Sequence, residues 1–275
     1  MSILLCQPIF APNDNVAERD INSLISLGKY LKENNIKNVD VCLGGWALNA
    51  ELWENIISTI KEYFGKIDVL RFSDNVGKAV VVNTLVKKYC KPHHQYIISV
   101  DSDILFSMDN KQIFNRLINM AEKTEQVKNK KFGLIGLQQL GHGCHLPMCY
   151  ENEHNYTTTN NGETFTEKFV WHSSPSGIAG GCLFISRKAW DDVGGYRIMG
   201  VYVGDDAYFL IDVRNKGYSW QMSDSIPIIH PPENDIEYAK WKVKVCQRDG
   251  AGVVLGDISN QIKEATKFWE DRNVK

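Results

Sequence analysis

The stretch Tyr96-Ile97-Ile98-Ser99-Val100-Asp101-Ser102-Asp103 decides the fold class of this chain. Its first five residues are mostly apolar and predict a buried strand, which ends directly in two aspartates separated by one serine. Both carboxylates therefore project from the carboxyl end of a strand, about 7 Å apart along the chain. Such a pair is able to hold a hard divalent cation against phosphate oxygens, although isolated acidic triplets are also common on solvated loops.

Three similar units precede this strand. Short apolar runs at Ile3 to Pro8, Val39 to Leu43 and Ile67 to Phe72 each lead into a segment with apolar residues at helical spacing. Four successive strand–helix units predict a mostly parallel central sheet with helices on both faces. In such α/β sheets ligands bind at the carboxyl ends of the strands, so the first half has a nucleotide-binding layout.

The regular alternation ends after a further helix and strand. The region from His142 to Glu167 is rich in Asn, Thr, Gly and His and predicts a long functional loop or a hairpin. An edge strand is predicted at Ser219 to Ser223, and an amphipathic pattern predicts a C-terminal helix at Ile258 to Asp271. Nothing in this pattern separates independent domains.

Composition excludes several classes of protein. The chain has 275 residues, a formal net charge of −2, 43% hydrophobic and 23% charged residues, which is typical of a globular protein. No apolar run approaches the roughly 20 residues of a membrane span, and no signal peptide is evident, so we expect no membrane span. Seven scattered cysteines favour a reducing compartment, and we expect a cytoplasmic protein. The near-neutral charge removes the strongest argument for a dedicated nucleic-acid binder.

A second motif follows in the latter half of the chain. It consists of Gly180-Gly181, an apolar strand, Arg187, an aromatic residue, Val193-Gly194-Gly195-Tyr196 and the acidic pair Asp205-Asp206. Together with Asp101 and Asp103, this pattern resembles the GT-A glycosyltransferases, especially the large inverting family-two class and its galactosyltransferase-like relatives. The resemblance runs from Ile3 to about Pro232 and implies the GT-A, Rossmann-like α/β fold.

The resemblance implies roles for the acidic pair. Asp206 is expected to be the catalytic base, because an attacking hydroxyl must lose its proton as the new bond forms. Asp205, Gly180 and Gly181 are expected to bind the acceptor, with Asp205 contacting its hydroxyl. An acidic pair favoured by the dipole at a helix N-terminus is the alternative explanation.

The resemblance also implies a donor site and a metal site. Residues expected to bind the nucleotide sugar are Pro8, Asn75, Gly77, Lys78, Asp101 and Ser102. The metal, Mn²⁺ or Mg²⁺, is expected on Asp101, Asp103 and His230, since carboxylate and imidazole together suit Mn²⁺ better than Ca²⁺. A surface lysine and a histidine leading into a proline turn are the plain alternatives for Lys78 and His230.

The sequence departs from the family after the second strand. An acidic residue that reads the nucleobase is common there, whereas this chain has Leu43-Gly44-Gly45-Trp46. Trp46 is a candidate for stacking on the base. UDP is favoured only because the family as a whole favours it.

Two further clusters have alternative explanations. The group His142, Cys144, His145 and Cys149 offers zinc ligands at a spacing that fits no common zinc pattern, and an acceptor-binding loop explains it as well. The basic run from Val127 to Lys131, with Lys128 and Lys130, is typical of a solvated helix end and would alternatively steer an anionic acceptor.

The sequence thus predicts a single GT-A domain: a donor-binding half at 1–107, an acceptor-binding and catalytic half at 108–240 and a helical extension at 241–275. The expected activity is metal-dependent, inverting transfer of a sugar from a nucleotide diphosphate sugar to a hydroxyl on a glycan, protein or small molecule. A hydroxymethylated pyrimidine in DNA is the named alternative acceptor. A nucleotidyltransferase and a non-catalytic sugar-nucleotide-binding module are the rival functions. We expect residues 142–167 to shape the acceptor site and to be mobile until the donor binds.

Overall fold

The first half of the chain folds as strand–helix units. The structure, a computed structural model, describes residues 1–46, 48–141, 150–160, 162–172, 180–201, 205–232 and 235–248. The elements of this half are β1 (Ser2–Ile9), α1 (Asp14–Glu33), β2 (Val39–Gly45), α2 (Ala50–Ile60), β3 (Asp68–Arg71), α3 (Lys78–Tyr89) and β4 (His94–Val100). This alternation confirms the predicted α/β fold.

The second half adds a hairpin and further strands and helices. Its elements are α4 (Ile113–Lys128), β5 (Phe132–Leu140), β6 (Tyr150–Asn160), β7 (Glu163–His172), β8 (Cys182–Ser186), α5 (Arg187–Val193), α6 (Asp205–Asn215), β9 (Ser219–Ile229) and α7 (Ile236–Arg248). The polar stretch therefore contains the antiparallel hairpin β6–β7. The helix expected at 258–271 lies outside the described residues, and none of the described helices is long and apolar enough to cross a membrane.

The nine described strands form one sheet in the order β3-β2-β1-β4-β8-β5-β9-β7-β6. Strands β1 to β4 pair in parallel, β8 is antiparallel to both β4 and β5, and β5 pairs in parallel with β9. Because the hairpin then adds two antiparallel pairings, only β7 and β8 run against the other strands. The carboxyl ends of β1, β4, β5 and β9 consequently meet at one edge, where β8 begins.

The last strand differs from its prediction. It runs for 11 residues between β5 and β7, whereas the sequence predicted a five-residue edge strand ending at Ser223. Its register with β5 jumps from Leu137–Ser223 to Gln138–Pro227, so residues 224–226 bulge out of the ladder. The polar residues of this bulge interrupt the apolar pattern, and for that reason the sequence did not predict the part of β9 that follows Ser223.

Burial on both faces makes the inner strands almost continuously apolar. Ile3, Leu4 and Leu5 of β1 are at most 1% exposed, as expected for a parallel strand covered by helices on either side. Helix α1 starts immediately beyond this strand, where the Asn13 side chain caps it by accepting the Val16 N–H at 2.9 Å.

A buried ion pair ties the hairpin to α4. Arg116 Nε and Nη2 donate to the two carboxylate oxygens of Glu167 at 2.6 and 2.9 Å, and Glu167 is fully buried. The Ser225 hydroxyl donates to the same carboxylate at 2.7 Å, and Arg116 Nη1 donates to Asn110 at 2.8 Å. These bonds hold β7 against α4.

Candidate active site

The turn formed by residues 101–103 follows β4 and is held from both sides. The Asp101 N–H donates to the Gly181 carbonyl at 2.8 Å, next to the start of β8. The Gln7 amide donates to the Asp101 carbonyl at 3.2 Å, and the Ser23 hydroxyl donates to the Ile104 carbonyl at 2.5 Å. The backbone beneath the two aspartates is therefore fixed by β1, α1 and β8 together.

Asp101 is paired with a lysine from α3. Lys78 Nζ lies 2.6 Å from Asp101 Oδ1, and both side chains are largely buried. Burial raises the pKa of Asp101, against the opposing effect of the Lys78 ammonium. Gly77 precedes Lys78 with a φ of 80°, and a Cβ there would lie 2.7 Å from the Val201 carbonyl oxygen. This close backbone approach requires glycine and sets the start of α3 against the site.

Asp103 faces two other cations. His230 Nε2 lies 3.3 Å from Asp103 Oδ1, and Arg19 Nη1 lies 3.6 Å from Asp103 Oδ2. Burial acts to raise the pKa of Asp103, but His230 and Arg19 outweigh it and hold that pKa well below its usual range. Burial likewise acts to lower the pKa of His230, but the Asp103 carboxylate outweighs it and the pKa is raised. These opposing pKa shifts favour an Asp103 carboxylate paired with a protonated His230.

These residues fit a divalent cation. Two adjacent ligands of an octahedral ion lie about 3 Å apart when each metal–ligand distance is about 2.1 Å, which agrees with the 3.3 Å between His230 Nε2 and Asp103 Oδ1. The other ring nitrogen of His230, Nδ1, lies 2.7 Å from Gln139 Oε1. Asp101 would join the same ion by leaving Lys78, which would release that ammonium for an anionic ligand.

Two charged residues of α1 escaped the sequence analysis. Arg19 contacts Asp103, and its Nη2 also lies 3.4 Å from Asp20 Oδ1. Asp20 is fully buried, and burial raises its pKa to about 8 despite the opposing charge of Arg19. Ser102 hydrogen-bonds to this same carboxyl group. The sequence showed only that Arg19 and Asp20 lie on the helix that follows β1. Packing decides which face of α1 turns toward the site, so their contacts were not predictable.

With Asp20 largely neutral near pH 7, cations dominate this part of the site. Lys242 of α7 adds a further one, because its charge acts on both Asp103 and His230. Its Nζ lies 4.3 Å from the ring centroid of Tyr238, which is itself buried. A concentration of positive charge around two aspartates suits a ligand that brings both a divalent cation and phosphate groups.

Asp206 lies against Gly180, the first glycine of the pair. A Cβ on Gly180 would overlap the Asp206 carboxyl group, and a Cβ on Gly181 would lie 2.7 Å from the Gln139 amide nitrogen. Asp206 is half-buried in the first turn of α6, where its Oδ1 accepts the Ala207 N–H at 2.8 Å. No cation pairs with it among the residues that the structure describes. The Asp205 residue begins α6, and its side chain lies outside the described part.

The remaining donor residues are less closely grouped. Pro8 is buried in β1 opposite Gly44 of β2, and Asn75 is exposed ahead of α3. Trp46 is only 7% exposed, and its ring centroid lies 5.3 Å from that of Phe10. Little of the indole surface is therefore open for stacking on a nucleobase.

The basic run lies at the opposite edge of the sheet from the aspartates. Lys130 and Lys131 are exposed between the end of α4 and the amino end of β5, whose carboxyl end approaches the site. The length of β5 separates these two residues from the site, which favours the solvated helix end over the alternative of acceptor steering. The Lys128 side chain and the cluster His142, Cys144, His145 and Cys149 lie outside what the structure describes.

The same far edge carries another group of possible metal ligands among the described residues, formed by Asp40, His93 and His94. It was not predicted, because Asp40 and the histidines are far apart in sequence. His94 Nδ1 accepts the Lys91 N–H at 2.9 Å, and its Nε2 lies 3.0 Å from Asp40 Oδ2. The neutral ring therefore carries its proton on Nε2 and donates it to Asp40, which leaves no lone pair for a metal. This group ties the starts of β2 and β4 together.

One comparison with known proteins bears on the architecture. No family model matches the sequence, and no curated protein matches it. Among solved structures, that of S. aureus TarS, residues 1–349, is similar with a TM-score of 0.54 at 12% identity, over 97% of this chain and 71% of the TarS chain.

Two other solved structures are more distant. The 4-diphosphocytidyl-2C-methyl-D-erythritol synthase of Anaerococcus prevotii has a TM-score of 0.46 at 9% identity, over 90% of this chain and 96% of its own. A mycobacterial protein has a TM-score of 0.48 at 10% identity, over 92% and 76%. The likeness to TarS extends over nearly the whole chain, and this chain therefore has the GT-A-like α/β fold that its motifs suggested.

Proposed function

We propose that this protein is a metal-dependent, inverting glycosyltransferase that uses a nucleotide diphosphate sugar. One observation carries the proposal. Gly181 accepts the N–H of Asp101 while its neighbour Gly180 packs against the Asp206 carboxyl group. A two-residue glycine segment thus lies between the aspartate pair on one side and a carboxylate without a cation partner, among the described residues, on the other. This arrangement supports Asp206 as the base next to the proposed donor site, since sugar transfer to a hydroxyl requires a base near the donor.

The donor half of the site would bind the nucleoside diphosphate. Asp101, Asp103 and His230 would hold Mn²⁺ or Mg²⁺, which supplies charge neutralisation to the departing diphosphate. Lys78 and Arg19 would turn from the aspartates to the phosphates. Pro8, Asn75, Gly77 and Ser102 are proposed to line the nucleotide-sugar site, and the family resemblance favours UDP.

Asp206 is the proposed catalytic base. As the acceptor oxygen bonds to the anomeric carbon, the bond from that carbon to the diphosphate oxygen breaks, and the hydroxyl proton passes to the Asp206 carboxylate. Attack from the face opposite the leaving group inverts the anomeric centre. Asp205 would orient the acceptor hydroxyl, next to Gly180 and Gly181.

The chain divides around this chemistry. Residues 1–107 contribute most of the proposed donor site, residues 108–240 contribute Asp206 and His230, and α7 crosses the limit at residue 240. A glycan, a protein or a small molecule would supply the hydroxyl. A hydroxymethylated pyrimidine in DNA is the alternative acceptor.

The rival activity is nucleotidyl transfer. An enzyme of that type would use a glycine-rich, basic phosphate loop directly after the first strand. Here the segment after β1 contains Phe10 and Ala11, which are 6% and 1% exposed, and ends in Asn13, which caps α1. The absence of glycine and basic residues from this segment favours sugar transfer.

The test is product analysis with a panel of nucleotide sugars and Mn²⁺, first screened by thermal shift, since saturating ligand raises stability. We expect slow release of nucleoside diphosphate, whereas release of pyrophosphate from nucleoside triphosphate and sugar phosphate would establish the rival activity. Asp206→Asn keeps the shape of the side chain and should lower turnover by about 10² to 10⁴-fold with donor affinity nearly unchanged. Unchanged turnover would place the base elsewhere, with Asp205 as the next candidate. A protein that binds donor but turns over none is a non-catalytic module.

A further inference from the structure

A histidine binds a metal through whichever ring nitrogen lacks a proton, so the partner of its other nitrogen decides its function. In His230 the two nitrogens have different partners. Nδ1 lies 2.7 Å from the amide oxygen Oε1 of Gln139, and Nε2 faces Asp103 Oδ1 at 3.3 Å. Both the amide oxygen and the Asp103 carboxylate accept hydrogen bonds, but the amide oxygen is closer, at 2.7 Å against 3.3 Å, so Nδ1 is the nitrogen that keeps its proton. A divalent cation on Asp103 would then replace the proton on Nε2.

Gln139 is held in place by its surroundings. It is 3% exposed in β5, and the His230 N–H donates to the carbonyl of the adjacent Leu140 at 2.8 Å. A Cβ on Gly181 would lie 2.7 Å from Gln139 Nε2 and 3.1 Å from Oε1. The amide is therefore confined between Gly181 and the imidazole, and the backbone of His230 is held next to it.

His94 provides an internal contrast. It is also buried and also faces an aspartate, but its Nδ1 accepts a backbone N–H from Lys91 at 2.9 Å. Its Nε2 therefore carries the proton. The two histidines differ in the partner of Nδ1, which is a donor for His94 and an acceptor for His230.

We infer that Gln139 is a positioning residue that fixes the Nδ1–H form of His230 and so presents Nε2 to the divalent cation of the donor site. The inference rests on the proposed function, because that function requires the cation. Hydrogen bonds of this kind orient ligating histidines and raise their basicity, and their removal typically costs about 10- to 100-fold in metal affinity. The sequence analysis missed this residue because Gln139 and His230 are 91 positions apart.

The experiment measures Mn²⁺ binding and the state of the ring separately. Mn²⁺ alone is titrated into wild type, Gln139→Leu and Gln139→Glu, and the free ion is followed by electron paramagnetic resonance. Gln139→Leu should weaken binding by about 10- to 100-fold, whereas Gln139→Glu, which retains an acceptor oxygen, should stay within a few-fold of wild type. Gln138→Leu is the matched control, since the adjacent side chain points to the other face of the sheet and should leave the affinity unchanged. Thermal melting verifies that each variant is folded.

Long-range ¹H–¹⁵N NMR of the metal-free protein, at alkaline pH where the ring is neutral, gives the position of the proton. His230→Gln assigns the signal. We expect the Nδ1–H form in wild type and in Gln139→Glu, and a shift toward the Nε2–H form in Gln139→Leu, where Asp103 remains as an acceptor at the ring. Two results would overturn the role of Gln139 and leave the proposed function standing. One is an Nε2–H form in wild type. The other is equal Mn²⁺ affinity in wild type and Gln139→Leu when His230→Ala does weaken Mn²⁺ binding. Unchanged Mn²⁺ binding in both His230→Ala and Asp103→Ala would instead overturn the proposed metal site, and this inference with it.

Discussion

Replacing Lys78 by methionine should change the affinities for metal and nucleotide in opposite directions. Lys78 Nζ lies 2.6 Å from Asp101 Oδ1, and the two side chains are 18% and 30% exposed. If Asp101 binds the divalent cation, this ion pair must first be broken. The lysine is then free to contact the diphosphate, so one residue opposes metal binding and favours nucleotide binding.

The geometry gives the size of both effects. A hydrogen bond between charged groups contributes about 1.5–3 kcal/mol, and about 1.4 kcal/mol corresponds to a factor of ten. Lys78→Met should therefore strengthen binding of Mn²⁺ alone by about tenfold. The lower end of this energy range applies because loss of the Lys78 charge raises the pKa of Asp101, so Mn²⁺ must displace a proton that is held more firmly. Binding of UDP in the presence of Mn²⁺ should weaken about tenfold or more.

Titration calorimetry measures both affinities, with Lys87→Met as the control. Lys87 is exposed in the last turn of the same helix, so its loss should change neither affinity. Weaker Mn²⁺ binding in Lys78→Met, or UDP binding equal to that of wild type, would refute the exchange of Lys78 between Asp101 and the phosphates.

Three further predictions concern the frame of the site. Arg116→Met leaves the Glu167 carboxylate buried without its partner and should lower the free energy of unfolding in urea by about 3–5 kcal/mol. The control Lys111→Met breaks only an exposed ion pair and should lower it by at most about 1 kcal/mol, so equal losses would contradict the prediction. The pKa of Asp20 is about 8 in the folded protein and 3.8 in an unfolded chain, so between these pH values the folded state binds one more proton and wild type loses stability as the pH rises. The stability of Asp20→Asn relative to wild type should therefore increase from about pH 5 to about pH 8, and a stability difference that does not change with pH would contradict this. Of the stretch 142–167 that is expected to be mobile until the donor binds, residues 142–160 should show slower hydrogen exchange when Mn²⁺ and a UDP-sugar bind. Exchange around the buried Glu167 should stay slow throughout, and no change with ligand would contradict the expected ordering.

Apolar periodicity was sufficient for the alternating half of the fold. The runs that end at Pro8, Leu43 and Val100 are buried strands because helices cover both faces of the sheet, and this burial is visible directly in the sequence. The pattern failed for β9, where a bulge places polar residues inside a strand. Helix α7 was not predicted as an element, although its second half falls within the helical extension expected at 241–275.

The site shows the same division. Asp101 and Asp103 were predictable because they follow an apolar strand directly, and Asp206 because it belongs to a motif. Arg19 and Gln139 were not, because their contacts with Asp103 and His230 arise from how α1 and β5 pack at the carboxyl edge. Residues brought together by packing across distant elements leave no local pattern to detect.

The central claim is that a divalent cation on Asp103 couples the protein to a nucleoside diphosphate. Calorimetric titration of UDP into wild type and Asp103→Ala, each with and without Mn²⁺, tests it most directly. We predict tight binding only for wild type with Mn²⁺, with an affinity at least about tenfold above the other three combinations, in the range of ordinary coupling between two ligands of one site. Equal affinity in all four combinations would contradict the account.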